Sequence, residues 1–91
     1  MPERRVVIAS KVGLHARPAS LFVQAASAAG VPVTIAKEGG EPVNARSILQ
    51  VLALDARGGE EVVLSAEGDG AEAALEGLVR LLEIDHDAAE G

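Results

Sequence analysis

Ahead of its first amphipathic stretch the chain sets a histidine, an arginine and a proline in one short run, His15-Ala16-Arg17-Pro18. Proline fixes φ and lacks an N–H, so a helix tolerates it only in the first turn. With Gly13 supplying a bend just before, a helix is predicted to start near Ala16, leaving His15 at or beside the N-cap. Ser, Thr, Asp or Asn would cap better. Capping therefore gives no reason for a histidine here, and chemistry does. The first amides of a helix point outward and carry partial positive charge, a ready anion site. Arg17 adds a full charge and a forked donor suited to phosphate oxygens. A neutral imidazole is a nucleophile that works close to physiological pH. Together these imply phosphoryl transfer onto His15, with Arg17 as its catalytic partner and Ala16, Arg17 and Pro18 as the phosphate-binding turn. A lone histidine before a helix is ordinarily a surface residue; the Ala-Arg-Pro that follows favours the chemical reading.

The elements that must hold this turn can be read from periodicity. Residues 5–9 centre on the β-branched run Val6-Val7-Ile8 and read as a strand. Over residues 16–29, Ala19, Phe22, Val23, Ala26 and Ala29 recur at helical spacing, and Gly30 then Pro32 mark a stop. Residues 31–37 read as a second strand and residues 42–44 as a third. Glu38-Gly39-Gly40-Glu41 forms the turn between them, and Pro42 points to a sheet edge. Residues 45–54 suggest a short helix with Ser47 as N-cap, residues 55–59 a loop, and residues 60–67 a fourth strand. Asp69, with Glu72 three residues on, is expected to cap a last helix. That helix has Ala74, Leu75, Leu78, Val79 and Leu82 on one face. Short strands alternating with amphipathic helices indicate an α+β fold, a mostly antiparallel sheet with helices on one face.

Composition narrows what the chain can be. Ninety-one residues suffice for one domain, residues 1–91, with a modest core over about 4–83 and residues 84–91 as a fraying tail. Cysteine is absent and Phe22 is the single aromatic, so stability must come from Val, Leu, Ile and Ala. No apolar run is long enough for a bilayer, and the first residues lack a secretory h-region. A soluble cytoplasmic protein without direct membrane insertion is expected. The net charge of −6 is uneven: residues 1–58 carry seven Lys/Arg against four Asp/Glu, and residues 59–91 carry one against ten. The basic part contains His15, which fits an anionic ligand or acidic partner surface. Nucleic acid is not expected, because no basic cluster is dense and no aromatics offer stacking.

Ser47 has two roles open to it. It is a good helix cap, and as a phosphorylation site it would place a dianion in the N-terminal dipole beside Arg46. Ile48, Leu49, Val51 and Leu52 cannot all face inward from one short helix. Some of them, with Leu21, Ser20 and Arg46, are expected to form a partner-docking patch. His86 lies between Asp85 and Asp87 and reads as solvated surface, with no second cluster to make a metal site. No phosphate-binding loop of the Gly-x-x-x-x-Gly-Lys-Ser/Thr type and no hydrolase elbow is present. A phosphate must then be handed in by another protein and handed on, and no cofactor is called for.

The run Gly13-Leu14-His15-Ala16-Arg17-Pro18-Ala19 resembles the active-site motif of the HPr family, the histidine-containing phosphocarriers of the bacterial sugar phosphotransferase system. Asn44-Ala45-Arg46-Ser47-Ile48-Leu49 looks like that family's regulatory-serine segment, and residues 59–82 resemble its final strand and helix. The resemblance implies an open-faced β-sandwich, four antiparallel strands under three helices. It implies that enzyme I, charged by phosphoenolpyruvate, phosphorylates His15 on Nδ1 and that IIA domains of sugar permeases receive the phosphate. Arg17 would steady the phosphoryl group. Ser47 would match a serine that a kinase, opposed by a phosphatase, modifies in some bacteria. A monomer is the simplest state for such a relay. Two other readings stay open: a regulatory paralogue of the same fold, and a domain that merely binds small anions through His15 and Arg17.

Overall fold

The alternation of apolar and polar residues gives the sheet one face to bury, and helices supply the cover. The computed structural model describes residues 2–9 and 13–84. Its elements run β1 (Glu3–Val7), α1 (Ala16–Ala28), β2 (Val33–Lys37), β3 (Val43–Asn44), α2 (Ile48–Leu54), β4 (Glu61–Ala66) and α3 (Ala71–Glu83). The described strands form one sheet in the order β1-β4-β2-β3, antiparallel throughout. β3 lies at an edge, as Pro42 indicated. The registers Val6↔Val62, Val33↔Ala66 and Ile35↔Leu64 set buried side chains side by side on one face. α1 packs on α2 and α3, and α3 packs on β1 and β4. The open-faced β-sandwich with helices on one side is the fold.

The core is aliphatic. Ile8, Leu14, Ile35, Leu64, Leu75 and Val51 are fully buried around Phe22. Each such side chain contributes about 1.5–3 kcal/mol of transfer free energy. On α1, Ala19, Phe22 and Ala26 face inward, as their spacing required. Gly30 adopts φ +76 beyond the C-cap Ala29, a left-handed stop that glycine takes without strain.

Most boundaries differ from the sequence reading by one or two residues. β1 ends at Val7 rather than Ala9, yet Ile8 still exchanges backbone hydrogen bonds with residues 59 and 60, and the Ala9 amide donates to the Leu82 carbonyl at 2.9 Å. One local prediction fails. Asp69 does not cap α3. Gly70 is the N-cap, at φ 86, with no side-chain cap bond. Gly68 and Gly70 both take positive φ, so the chain turns more tightly than the spacing implied and the helix begins one residue later. Glu72 then falls at the second helical position, where it still complements the helix dipole.

Phe22→Ala should cost about 3–5 kcal/mol, because aliphatic neighbours cannot collapse into an aromatic-sized void. A urea denaturation midpoint lowered in proportion checks this.

Candidate functional site

His15 caps α1 in extended conformation, φ −132 and ψ 161, and its side chain makes no capping bond. The ring is turned to another partner. His15 Nε2 lies 3.0 Å from Asp55 Oδ1, across 40 residues of sequence. An ionised carboxylate can only accept, so Nε2–H donates and the neutral ring keeps its lone pair on Nδ1. The imidazole is 41% exposed and the Asp55 side chain 50%. The imidazole is thus accessible without being loose.

Asp55 reaches the ring because of how α2 ends. It is the C-cap, in the left-handed conformation at φ 53 and ψ 43, and its amide donates to Leu52. Aspartate tolerates this region better than most side chains. Arg57 Nη2 holds its other oxygen at 3.4 Å. The His15 hydrogen bond, then the charge of Arg57, keep the Asp55 carboxyl below its ordinary 3.8. Residues 55–60 are themselves tied down. The Arg57 amide donates to Glu60 Oε1 at 2.7 Å, and the Gly59 amide to the Ile8 carbonyl at 2.9 Å.

The two segments meet backbone to backbone. The Leu14 amide donates to the Ala56 carbonyl at 2.8 Å. Gly13, at φ +73, lies so close that an added Cβ would sit 2.3 Å from the Ala56 oxygen and 2.6 Å from Arg57 Cα. Glycine is required here by space as well as by φ. The sequence suggested a flexible bend; the structure shows a close approach.

The other predicted residues fall into two groups. Ala16, Arg17 and Pro18 form the first turn of α1, with Arg17 exposed and Pro18 buried. Ser20 is exposed and accepts a bond from Gln24 Nε2 at 3.2 Å, while Leu21 is half-buried. Ser47 caps α2, its Oγ accepting from the Gln50 amide at 3.3 Å. Val51 is buried and Leu52 half-buried, whereas Ile48 is 39% and Leu49 77% exposed. Arg46 is exposed beside them. The structure brings His15 to Asp55 but leaves Ser47 at the opposite end of α2, about 12 Å from Asp55 along the helix axis at 1.5 Å per residue. His86 lies outside the described residues. By sequence alone Asp55 reads as a loop residue. Its place after an apolar helical run was the only local signal, and its partner is remote in sequence.

Known proteins resemble this chain over nearly its whole length. The family profile described as the PTS HPr component phosphorylation site matches residues 2–83. Phosphocarrier protein HPr of Streptomyces coelicolor is 63% identical over 82 residues, covering 90% of this chain and 88% of that protein. The HPr-like protein Crh of Bacillus subtilis is 40% identical over 83 residues, covering 91% and 96%. Among solved structures, HPr from Thermoanaerobacter tengcongensis superposes with a TM-score of 0.86 at 46% identity, covering 91% of this chain and 92% of that one.

Gly13→Ala should lose more than about 2 kcal/mol, since it meets both an unfavourable φ and occupied space. Thermal unfolding and the Leu14 amide's exchange protection report it. Because the Asp55 carboxyl is lowered on folding, its contribution to stability is fully present above its ordinary 3.8 and is lost as pH falls through the lower folded value. Acid titration of folding should show Asp55→Asn losing stability relative to the parent near neutrality and converging with it in strong acid.

Proposed function

The chain belongs to the HPr family of phosphotransferase-system phosphocarriers, and on that premise we propose that it carries its phosphoryl group on Nδ1 of His15. The observation that carries this reading is the bond between Nε2 and Asp55, which leaves the lone pair of the neutral ring on Nδ1, in a side chain that is 41% exposed. Arg17 and the first-turn amides of Ala16 and Arg17 supply positive charge for the phosphoryl oxygens, and Pro18 sets the turn that aims them. The chemistry is in-line displacement between two proteins, so alignment across an interface does most of the work.

Family membership implies partners within the phosphotransferase system. In our reading enzyme I donates and IIA domains of sugar permeases accept. Both dock on Ser20 and Leu21 of α1 and on Arg46, Ile48, Leu49 and Leu52 at α2. The exposure of Leu49 and Ile48 supports this, because nothing in the fold requires two large apolar side chains in water there. Ser47 sits at the edge of that patch, so a phosphate added by a serine kinase would put a dianion where apolar contact forms. That would weaken docking without touching His15. Among the described residues no helix is long and apolar enough to cross a membrane. We read the carrier as a monomer working in the cytoplasm, offering one face to successive partners.

Incubation with enzyme I and phosphoenolpyruvate should add one phosphate, about 80 Da by intact mass, stable to base and labile to acid. His15→Ala should take none. A parent protein that stays unmodified, or a variant labelled as well as the parent, rejects the assignment. Saturable phosphate binding with no covalent adduct would support the anion-binding alternative instead.

A further inference from the structure

The half-exposed carboxylate of Asp55 has no packing role that explains its position. Among the described residues it is the one non-glycine with positive φ, in a region that glycine occupies without strain. What distinguishes it is where its oxygens go. One lies 3.0 Å from His15 Nε2 and the other 3.4 Å from Arg57 Nη2. The Leu14 to Ala56 bond fixes the residue next to Asp55 against the residue next to His15. The pair is therefore set by the fold on both sides.

Resting on His15 as the phosphoryl acceptor, we propose that Asp55 is a positioning residue for that transfer. It keeps the proton on Nε2 throughout the cycle, so that Nδ1 attacks as a free lone pair and later departs as part of a neutral imidazole. The step balances without solvent protons. On loading, the donor's bond to phosphorus breaks and its electron pair stays with the donor. The Nδ1 lone pair forms the new P–N bond. The ring, still carrying Nε2–H, becomes a phosphoimidazolium whose positive charge faces the Asp55 carboxylate. On unloading, the P–Nδ1 bond breaks and its pair returns to Nδ1, regenerating the neutral Nε2–H ring. Without the carboxylate two costs appear. A share of the free ring moves its proton to Nδ1 and cannot attack there. The phosphorylated ring gives up its Nε2 proton more readily, and its leaving group is then imidazolate, a much poorer one. Arg57, on the outer oxygen, favours the ionised carboxylate that this role needs. The lowered carboxyl of Asp55 is consistent with that.

The test is Asp55→Gly, which removes the carboxylate while suiting the left-handed backbone, with Asp55→Asn as a second variant that keeps the shape. Long-range ¹H–¹⁵N spectra at about pH 8.5, above the ordinary imidazole range, read the ring directly. The parent should show His15 protonated on Nε2, and Asp55→Gly a raised share on Nδ1. In the phosphorylated protein, the Nε2 titration should move to lower pH in both variants. Phosphoryl exchange with the phosphorylated donor enzyme should slow by about three- to tenfold, the scale of one partly exposed hydrogen-bonded charge pair. Unchanged tautomer populations and an unshifted titration in Asp55→Gly overturn the proposal, even where the rate falls, since a rate loss alone marks altered docking. If the parent takes no phosphate, the carrier assignment fails, and the tautomer spectra of the unmodified protein still decide what Asp55 does.

Discussion

The site depends on one backbone contact, the Leu14 amide on the Ala56 carbonyl, and on the missing Cβ at Gly13 that lets the two strands of chain come so close. His15 and Asp55 are 40 residues apart, and no element carries both. They become neighbours because the turn before α1 is laid against the turn after α2. That second turn is in turn held to the sheet, through the bonds of Gly59 and Glu60 with Ile8 at the end of β1. The geometry at the imidazole is therefore inherited from the β1–β4 pairing through a short series of main-chain bonds. Main-chain bonds have little rotamer freedom, so the imidazole is aimed without being buried.

α2 shows how little structure such a site needs at its flank. Seven residues are too few for a helix to persist alone. Val51 anchors it in the core, Ser47 closes one end by capping, and Asp55 closes the other in the left-handed conformation. Both terminating residues are also the ones with chemistry to offer. Between them the outward face carries Ile48 and Leu49. The helix is less a support than a short ruler, with exposed apolar side chains along its length and a polar group at each end.

What could be read from the sequence follows the range of the interactions involved. Helices and strands rest on periodic burial, so α1 and the fourth strand were legible to within a residue or two, and Phe22 was rightly placed inside. The N-cap position of His15 was legible because Pro18 constrains φ locally. Asp69 misled because capping strength depends on where the turn ends, and Gly68 and Gly70 moved that point by one residue. Asp55 was invisible for a different reason. Its significance is a tertiary contact, and an aspartate after a short helix looks like any C-terminal turn until the partner loop is in place. Gly13 was half legible. Its left-handed φ is a property that glycine advertises, while the Ala56 oxygen that excludes a Cβ lies 43 positions on.

The exposure of the His15–Asp55 pair suits a carrier better than burial would. In a dry interior a carboxylate and an imidazole interact far more strongly, and the charged phosphorylated ring would sit in a deep well. A residue that must both receive and release a phosphoryl group gains nothing from such a well, because stabilisation of the loaded state that the transition state does not share raises the barrier to unloading. Partial exposure keeps the isolated carrier close to balance. On the docking we propose, a partner closing over the ring would remove water from the same few atoms and strengthen their interactions only for the lifetime of the complex. The protein thus supplies orientation permanently and electrostatic strength on contact, which is the division of labour a reversible relay requires.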